Sequence, residues 1–217
     1  ERRLFGARDH FGIRPLYYAH SRGETFTFGT EVSAVLCSPD VSHEIDDIRV
    51  ADYISSFTLD KERTFYRDVR QIPAATSFIV TTDGMQSWLY WQPDTEFEAE
   101  GRIPEAHAEA FREVLDEAVR SRSRARDPVG ASLSGGLDSS TVVCLASRHL
   151  RNQSRSPVRT YSAIFERFKE CDEREYVDEV LSWSGAENCR IVLDRHNPMD
   201  GALQSIRRHG HPPMIRN

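Results

Sequence analysis

Over the first 91 residues the apolar positions fall in short alternating runs rich in Phe, Tyr, Val, Ile and Thr, separated by turn residues. A period of two belongs to half-buried strands, whose successive side chains face opposite ways. Residues 4–8 form one such run. Residues 15–19 and 25–29 flank Ser21-Arg22-Gly23-Glu24, and residues 77–81 and 86–91 flank Thr82-Asp83-Gly84. Both pairs predict hairpins. Two short helices interrupt the strands. One covers residues 31–36 and stops at Ser38-Pro39; the other covers residues 48–57, where Val50, Tyr53, Ile54 and Phe57 recur at helical spacing. Tyr53, Phe57, Trp88 and Trp91 are expected in the core, since no basic patch surrounds them as a base-stacking surface requires.

Residues 92–103 (QPDTEFEAEGRI) are acidic, poor in apolar side chains and bounded by Pro93 and Pro104, which predicts a linker. The period then becomes helical. Residues 105–126 place Ala108, Phe111, Val114, Leu115, Ala118 and Val119 on one stripe of a long helix. Strands are predicted at 129–133, 160–165 and 189–193. They alternate with helices at 139–150 (Val142, Val143, Leu145 and Ala146 inward), 173–183 (Tyr176, Val177, Val180 and Leu181 on one face) and 198–208. Strands alternating with helices imply a parallel sheet flanked by helices. The chain therefore reads as α/β, with a β-rich part followed by a doubly covered parallel sheet.

Composition narrows this picture only a little. At 217 residues, 39% hydrophobic and 29% charged, the chain has room for one large or two small cores. A net charge of −6 argues against a general nucleic-acid binder. No apolar stretch reaches the ~20 residues of a membrane helix, and no signal peptide is visible. Cys37, Cys144, Cys171 and Cys189 lie far apart without metal-ligand spacing, so reduced thiols in a cytoplasmic protein are expected. Cys144 and Cys189 sit in apolar runs and are expected as small core residues. Of the 28 basic residues only Lys61 and Lys169 are lysine, a bias attributed to base composition rather than to phosphate recognition.

The chemistry concentrates in Ser134-Gly135-Gly136-Leu137-Asp138-Ser139-Ser140, between the 129–133 strand and a helix. Glycines let the backbone turn tightly and bring amide N–H groups against an anion, and the helix start adds its positive end. Ser134, Ser139 and Ser140 offer hydroxyls, and Asp138 a carboxylate for Mg²⁺. The loop has neither GxxxxGK[ST] nor GxGxxG. A pyrophosphate cradle without the γ-phosphate lysine suits reaction at the α-phosphate, with pyrophosphate leaving.

This string resembles the pyrophosphate loop of the N-type ATP pyrophosphatases. Ala7-Arg8-Asp9-His10-Phe11-Gly12-Ile13-Arg14-Pro15-Leu16-Tyr17-Tyr18, then Phe28-Gly29-Thr30-Glu31-Val32, and Thr64-Phe65-Tyr66 through Gln71-Ile72-Pro73 with Tyr90-Trp91, resemble the glutamine-dependent asparagine synthetase family. The resemblance covers nearly the whole chain. It implies the C-terminal part of an Ntn-hydrolase αββα glutaminase domain over 1–91, a linker over 92–104, and over 105–217 the N-terminal part of an ATP-pyrophosphatase domain of the adenine nucleotide alpha hydrolase type. It implies amidation of aspartate through a β-aspartyl-adenylate, with ATP and Mg²⁺, ammonia coming from glutamine, and a homodimer as one assembly to test. On matching positions Leu133, Ser134, Gly135, Gly136, Leu137, Asp138, Ser139, Ser140 and Ile164 would meet ATP or its pyrophosphate, with Asp138 near Mg²⁺. The alternative within the family is a β-lactam synthetase or lasso-peptide cyclase, which uses an internal amine.

The resemblance also implies an interior fragment, inactive alone. The family's N-terminal cysteine nucleophile is missing, its second SGxGxDE segment falls beyond Asn217, and no catalytic residue is identifiable between them. Pro73-Ala74-Ala75 departs from the family's proline-glycine turn. Arg8, Asp9 and Arg14 are expected to form a structural ion-pair network. Asp172-Glu173-Arg174-Glu175-Tyr176 resembles a segment common in the family and reads equally as a capped helix start with acidic residues at its positive end, and His209-Gly210-His211 is expected to be a loop, since two histidines lack a third metal ligand.

Overall fold

The computed structural model describes residues 2–21, 25–57, 60–95, 104–126 and 128–213. In chain order its elements are β1 (Leu4–Ala7), β2 (Tyr17–Ser21), β3 (Thr25–Gly29), α1 (Val32–Leu36), α2 (Asp47–Ile54), β4 (Arg70–Gln71), β5 (Thr76–Thr81) and β6 (Gly84–Leu89). There follow α3 (Pro104–Arg122), β7 (Gly130–Ser132), α4 (Leu137–Asn152), β8 (Arg159–Ile164), α5 (Arg174–Ser184), β9 (Glu187–Val192) and α6 (Pro198–His209). The chain divides into two compact units, one of residues 1–97 and 198–217 and one of residues 98–197.

In the first unit two antiparallel sheets, β1-β5-β6 and β3-β2-β4, pack face to face. Tyr18 and Ala19 are neighbours on β2 and so point to opposite faces. Tyr18 meets Ile72, Phe78, Val80 and Phe26 between the sheets, while Ala19 meets Val32, Val35 and Val69 under α1. One apolar alternation thereby builds two layers of core. Asp46 starts α2 by accepting hydrogen bonds from the Ile48 and Arg49 amides. Both predicted hairpins form, Tyr17 to Gly29 and Thr76 to Leu89 marking their outer pairs. Residues 22–24 of the first turn lie outside the described residues, as do 96–103 of the expected linker.

The second unit is the expected parallel sheet, in the order β7-β8-β9, with α4 and α5 as the crossovers. Val119 of α3 packs on Ala146 and Leu150 of α4 with Val158, and Leu133 packs on Val143 and Val177. β8 alternates strictly: Thr160, Ser162 and Ile164 are buried, while Arg159, Tyr161 and Ala163 are exposed.

Several expected core positions are corrected. Phe57 and Trp88 are exposed, as are Phe111, Val114, Val142 and Tyr176. In each helix only the part of the apolar stripe that meets a neighbouring element is buried; Leu115 and Val119, one helical turn on, are the α3 residues that do. Cys189 is exposed and Cys144 half-buried, and burial pushes the Cys144 thiol pKa up. Trp91 packs edge-on against His10 and Phe11, with ring centroids 4.9 and 5.3 Å apart. Arg8, Asp9 and Arg14 are structural, but through main-chain groups. The Arg8 guanidinium donates to the carbonyls of Arg14, Ile72 and Gly12, and Asp9 accepts from the amides of Phe11, Ile13 and Arg14.

Candidate phosphate-binding site

β7 ends at Ser132 and α4 begins at Leu137, so only four residues turn the chain from strand to helix. Gly135 makes the turn at φ +86°, a conformation that favours glycine. Gly136, at φ −69° and ψ 160°, is the N-cap of α4, and the first helical bond runs from the Ser140 amide to its carbonyl at 3.1 Å. The amides of Leu137, Asp138 and Ser139 precede that bond and have no acceptor within the helix. They sit at the positive end of a 16-residue helix, on residues exposed or half-buried. Side chains brace the loop from within. The Ser134 amide donates to Ser139 Oγ at 3.2 Å, Ser139 Oγ donates to the Gly136 carbonyl at 3.2 Å, and the Gly136 amide donates to Ser134 Oγ at 3.3 Å. Ser140 Oγ is buried and has no partner among the described residues.

The sequence-predicted residues separate into two groups. Ser134 to Ser140 form one continuous turn at the C-terminal end of β7, the sheet edge at which open α/β sheets hold ligands. Leu133, just past β7, and Ile164, at the end of the neighbouring β8, are 1% and 7% exposed. Asp138 is the one carboxylate of the loop and is exposed. Among the described residues no three His, Cys, Asp or Glu side chains converge as a metal site. Asp138 is the donor that the loop could offer a cation.

Other candidates take structural roles. Asp172 does not cap α5, whose N-cap is Glu173 without a side-chain bond. It instead accepts from the Phe165 amide at 3.3 Å and pairs with Arg174 at 3.0 Å, fixing the chain after β8. Burial would raise its pKa, but these bonds outweigh burial and hold it below the usual value. His209 and His211 lie 6.2 Å apart between ring centroids, with His209 Nδ1 3.8 Å from Glu31. A cavity of about 310 Å³ in the first unit is lined by Arg8, Tyr17, Arg49, Arg63 and Gln71. Arg8 is bound to carbonyls there and Arg63 to Asp46, so its charges already serve the fold.

Two residues under the loop escaped sequence reasoning. Ser162 donates to the Leu133 carbonyl at 2.6 Å, and Asn188 donates to Ser162 at 2.9 Å. The only signal for Ser162 was a small polar residue at a position of β8 that alternation marks as buried. Asn188 carried none, because its partner lies on another strand.

Residues 1–91 match the family described as glutamine amidotransferase domain, and residues 110–216 match the family described as asparagine synthase. The chain is 26% identical to asparagine synthetase [glutamine-hydrolyzing] 3 of Bacillus subtilis, over 94% of this chain and 34% of the relative. It is 27% identical to asparagine synthetase [glutamine-hydrolyzing] 1 of the same organism, over 91% of this chain and 30% of the relative. It is 26% identical to amidase chyE of Penicillium rubens, over 88% of this chain and 30% of the relative. The chain thus spans about a third of the length of these curated relatives.

Proposed function

This chain belongs to the asparagine synthetase family, and we propose that the Ser134–Ser140 turn holds the phosphates of ATP while the adenylyl group is transferred to a carboxylate and pyrophosphate leaves. The observation that carries this reading is the set of outward first-turn amides on α4, braced by Ser134 and Ser139, with the unpartnered Ser140 hydroxyl beside them. Fixed N–H dipoles aimed at a leaving pyrophosphate need no reorganisation as charge develops, which is the main catalytic lever in phosphate chemistry. Leu133 and Ile164, both buried at the same end of the sheet, would give the site its apolar side. Mg²⁺, when bound beside Asp138, neutralises phosphate charge.

The reaction that follows is amide formation. A carboxylate oxygen of aspartate attacks the α-phosphorus of ATP, pyrophosphate leaves, and ammonia from glutamine displaces AMP from the acyl carbon. Residues 1–91 belong to the ammonia-releasing side, and the activity, substrates and any homodimer are those of the longer protein. A second reading replaces aspartate with another carboxylate, since one similar protein carries the name amidase rather than asparagine synthetase. The deciding experiment measures pyrophosphate release from ATP by the full-length protein. Release on adding aspartate with glutamine or ammonia supports asparagine synthesis. Release only with another carboxylate supports the second reading, and none with any carboxylate overturns both.

A further inference from the structure

Beneath the loop lies a buried polar relay, and what it implies rests on reading the loop as the ATP site. Asn188 Nδ2 donates to Ser162 Oγ at 2.9 Å and to Thr160 Oγ1 at 2.8 Å. Each hydroxyl passes its own proton onward to a main-chain carbonyl: Ser162 to Leu133 at 2.6 Å, Thr160 to Glu187 at 2.9 Å. The proton count leaves no other arrangement. An amide nitrogen has two hydrogens and a hydroxyl one, so once Nδ2 serves both hydroxyls each must donate to its carbonyl. Arg190 Nε, donating to Asn188 Oδ1 at 3.3 Å, fixes the orientation of that amide. Thr160 and Ser162 are 0% and 1% exposed, at positions where a parallel sheet ordinarily carries Val or Ile.

We propose that Ser162 and Asn188 are positioning residues for the phosphate loop. The Leu133 carbonyl and the Ser134 amide belong to one planar peptide. Anchoring the carbonyl to Ser162 therefore aims the Ser134 N–H, which donates to Ser139 Oγ at 3.2 Å and closes the turn. The relay converts a fixed point in the sheet into the angle at which residues 134–136 leave it. Both side chains act through the Leu133–Ser134 peptide.

The test titrates the full-length protein with MgATP and with inorganic pyrophosphate, comparing Ser162→Ala, Asn188→Leu and Ser162→Thr. Loss of the relay is expected to weaken both probes about tenfold in the first two variants, whereas Ser162→Thr, which keeps the hydroxyl, stays within about twofold. Unchanged affinity in both loss variants overturns the proposal, as does a Ser162→Thr chain as weak as Ser162→Ala. If Ser162→Ala does not fold, Asn188→Leu decides alone. If the unaltered chain binds neither probe, the ATP reading fails separately, and amide hydrogen exchange decides the relay. The Ser134 amide should exchange about tenfold faster in the loss variants while the Leu181 amide of α5 does not change. Equal acceleration at both, or none at Ser134, overturns the proposal.

Discussion

Gly135 lies directly against Tyr176. A β-carbon at Gly135 would fall 2.9 Å from Tyr176 Cβ and 3.3 Å from the Glu173 carbonyl oxygen, on a residue already at φ +86°. Neither neighbour can swing aside, because one is a β-carbon and the other main chain. The loop and the start of α5 are thus packed through a missing side chain.

Gly135→Ala is accordingly expected to destabilise the chain by about 2–4 kcal/mol, combining left-handed strain with overpacking. Gly136→Ala should cost less than about 1 kcal/mol, since φ there is −69° and the new methyl meets only Ser134 Oγ at 3.4 Å. Urea unfolding of the two variants, followed by circular dichroism, should separate them clearly; equal costs would contradict the close packing.

Ala75 presents the opposite case. It has φ +52°, where the resembled family's turn supplies glycine nearby, and its amide donates to the Asp9 carbonyl at 2.9 Å. Ala75→Gly relieves about 1–2 kcal/mol of left-handed strain and gives back part of it as unfolded-state entropy. A net gain of up to about 1 kcal/mol is expected from the same unfolding measurement.

Asp46 holds two elements together. It caps α2 through the Ile48 and Arg49 amides and pairs with Arg63 at 2.5 Å, its side chain 7% exposed. Asp46→Ala removes the cap and leaves the Arg63 charge without this partner, at a cost of about 2–4 kcal/mol. Asp46→Asn keeps an acceptor for the amides and should cost less. Thermal unfolding that ranks the two variants the other way would refute this account.

Acid should weaken the fold in a defined window. Asp9 is held below the ordinary 3.8 by the Arg14 and Ile13 amides. Asp46 is lowered too: burial raises its pKa, but the Arg49 amide and the Arg63 guanidinium outweigh that. Asp172 behaves alike through Phe165 and Arg174. A carboxyl with a lower pKa folded than unfolded contributes stability that is present above the unfolded value and lost as pH falls through the folded one. Stability should be level above about pH 5 and fall below about pH 4, with a shallower fall in Asp46→Asn. A melting temperature that does not change down to about pH 3 would count against all three shifts.

Asp138 is exposed in the first turn of α4. Asp138→Asn should leave the unfolding midpoint within about 0.5 kcal/mol. Binding of MgATP should weaken about tenfold, more than binding of ATP with chelator present. Equal weakening under both conditions would assign Asp138 to the nucleotide rather than to the metal.

Much of this was legible along the chain. Alternation placed β2, β3, β5 and β8, and the glycines with the following helical stripe marked the Ser134–Ser140 turn, because local periodicity and turn chemistry act over a few neighbouring residues. The two-residue β4 was not, since Arg70-Gln71 has no period and is a strand through its pairing with the distant β2. Phe111 and Val114 misled for a related reason: a stripe states which side of a helix is apolar, while another element decides how much of it is covered.

By itself the sequence determined the order of the longer elements, the parallel character of the second sheet and the position of the Ser134–Ser140 turn between strand and helix, all properties of contiguous segments. Only the tertiary structure decided that Arg8 reaches the Ile72 carbonyl, that Gly135 must stay bare beneath Tyr176, and that Asn188 reaches through Ser162 to the peptide aiming the loop. Those relationships join residues distant in sequence, and hydrogen-bond satisfaction and close packing act on distances in space, which no local pattern encodes.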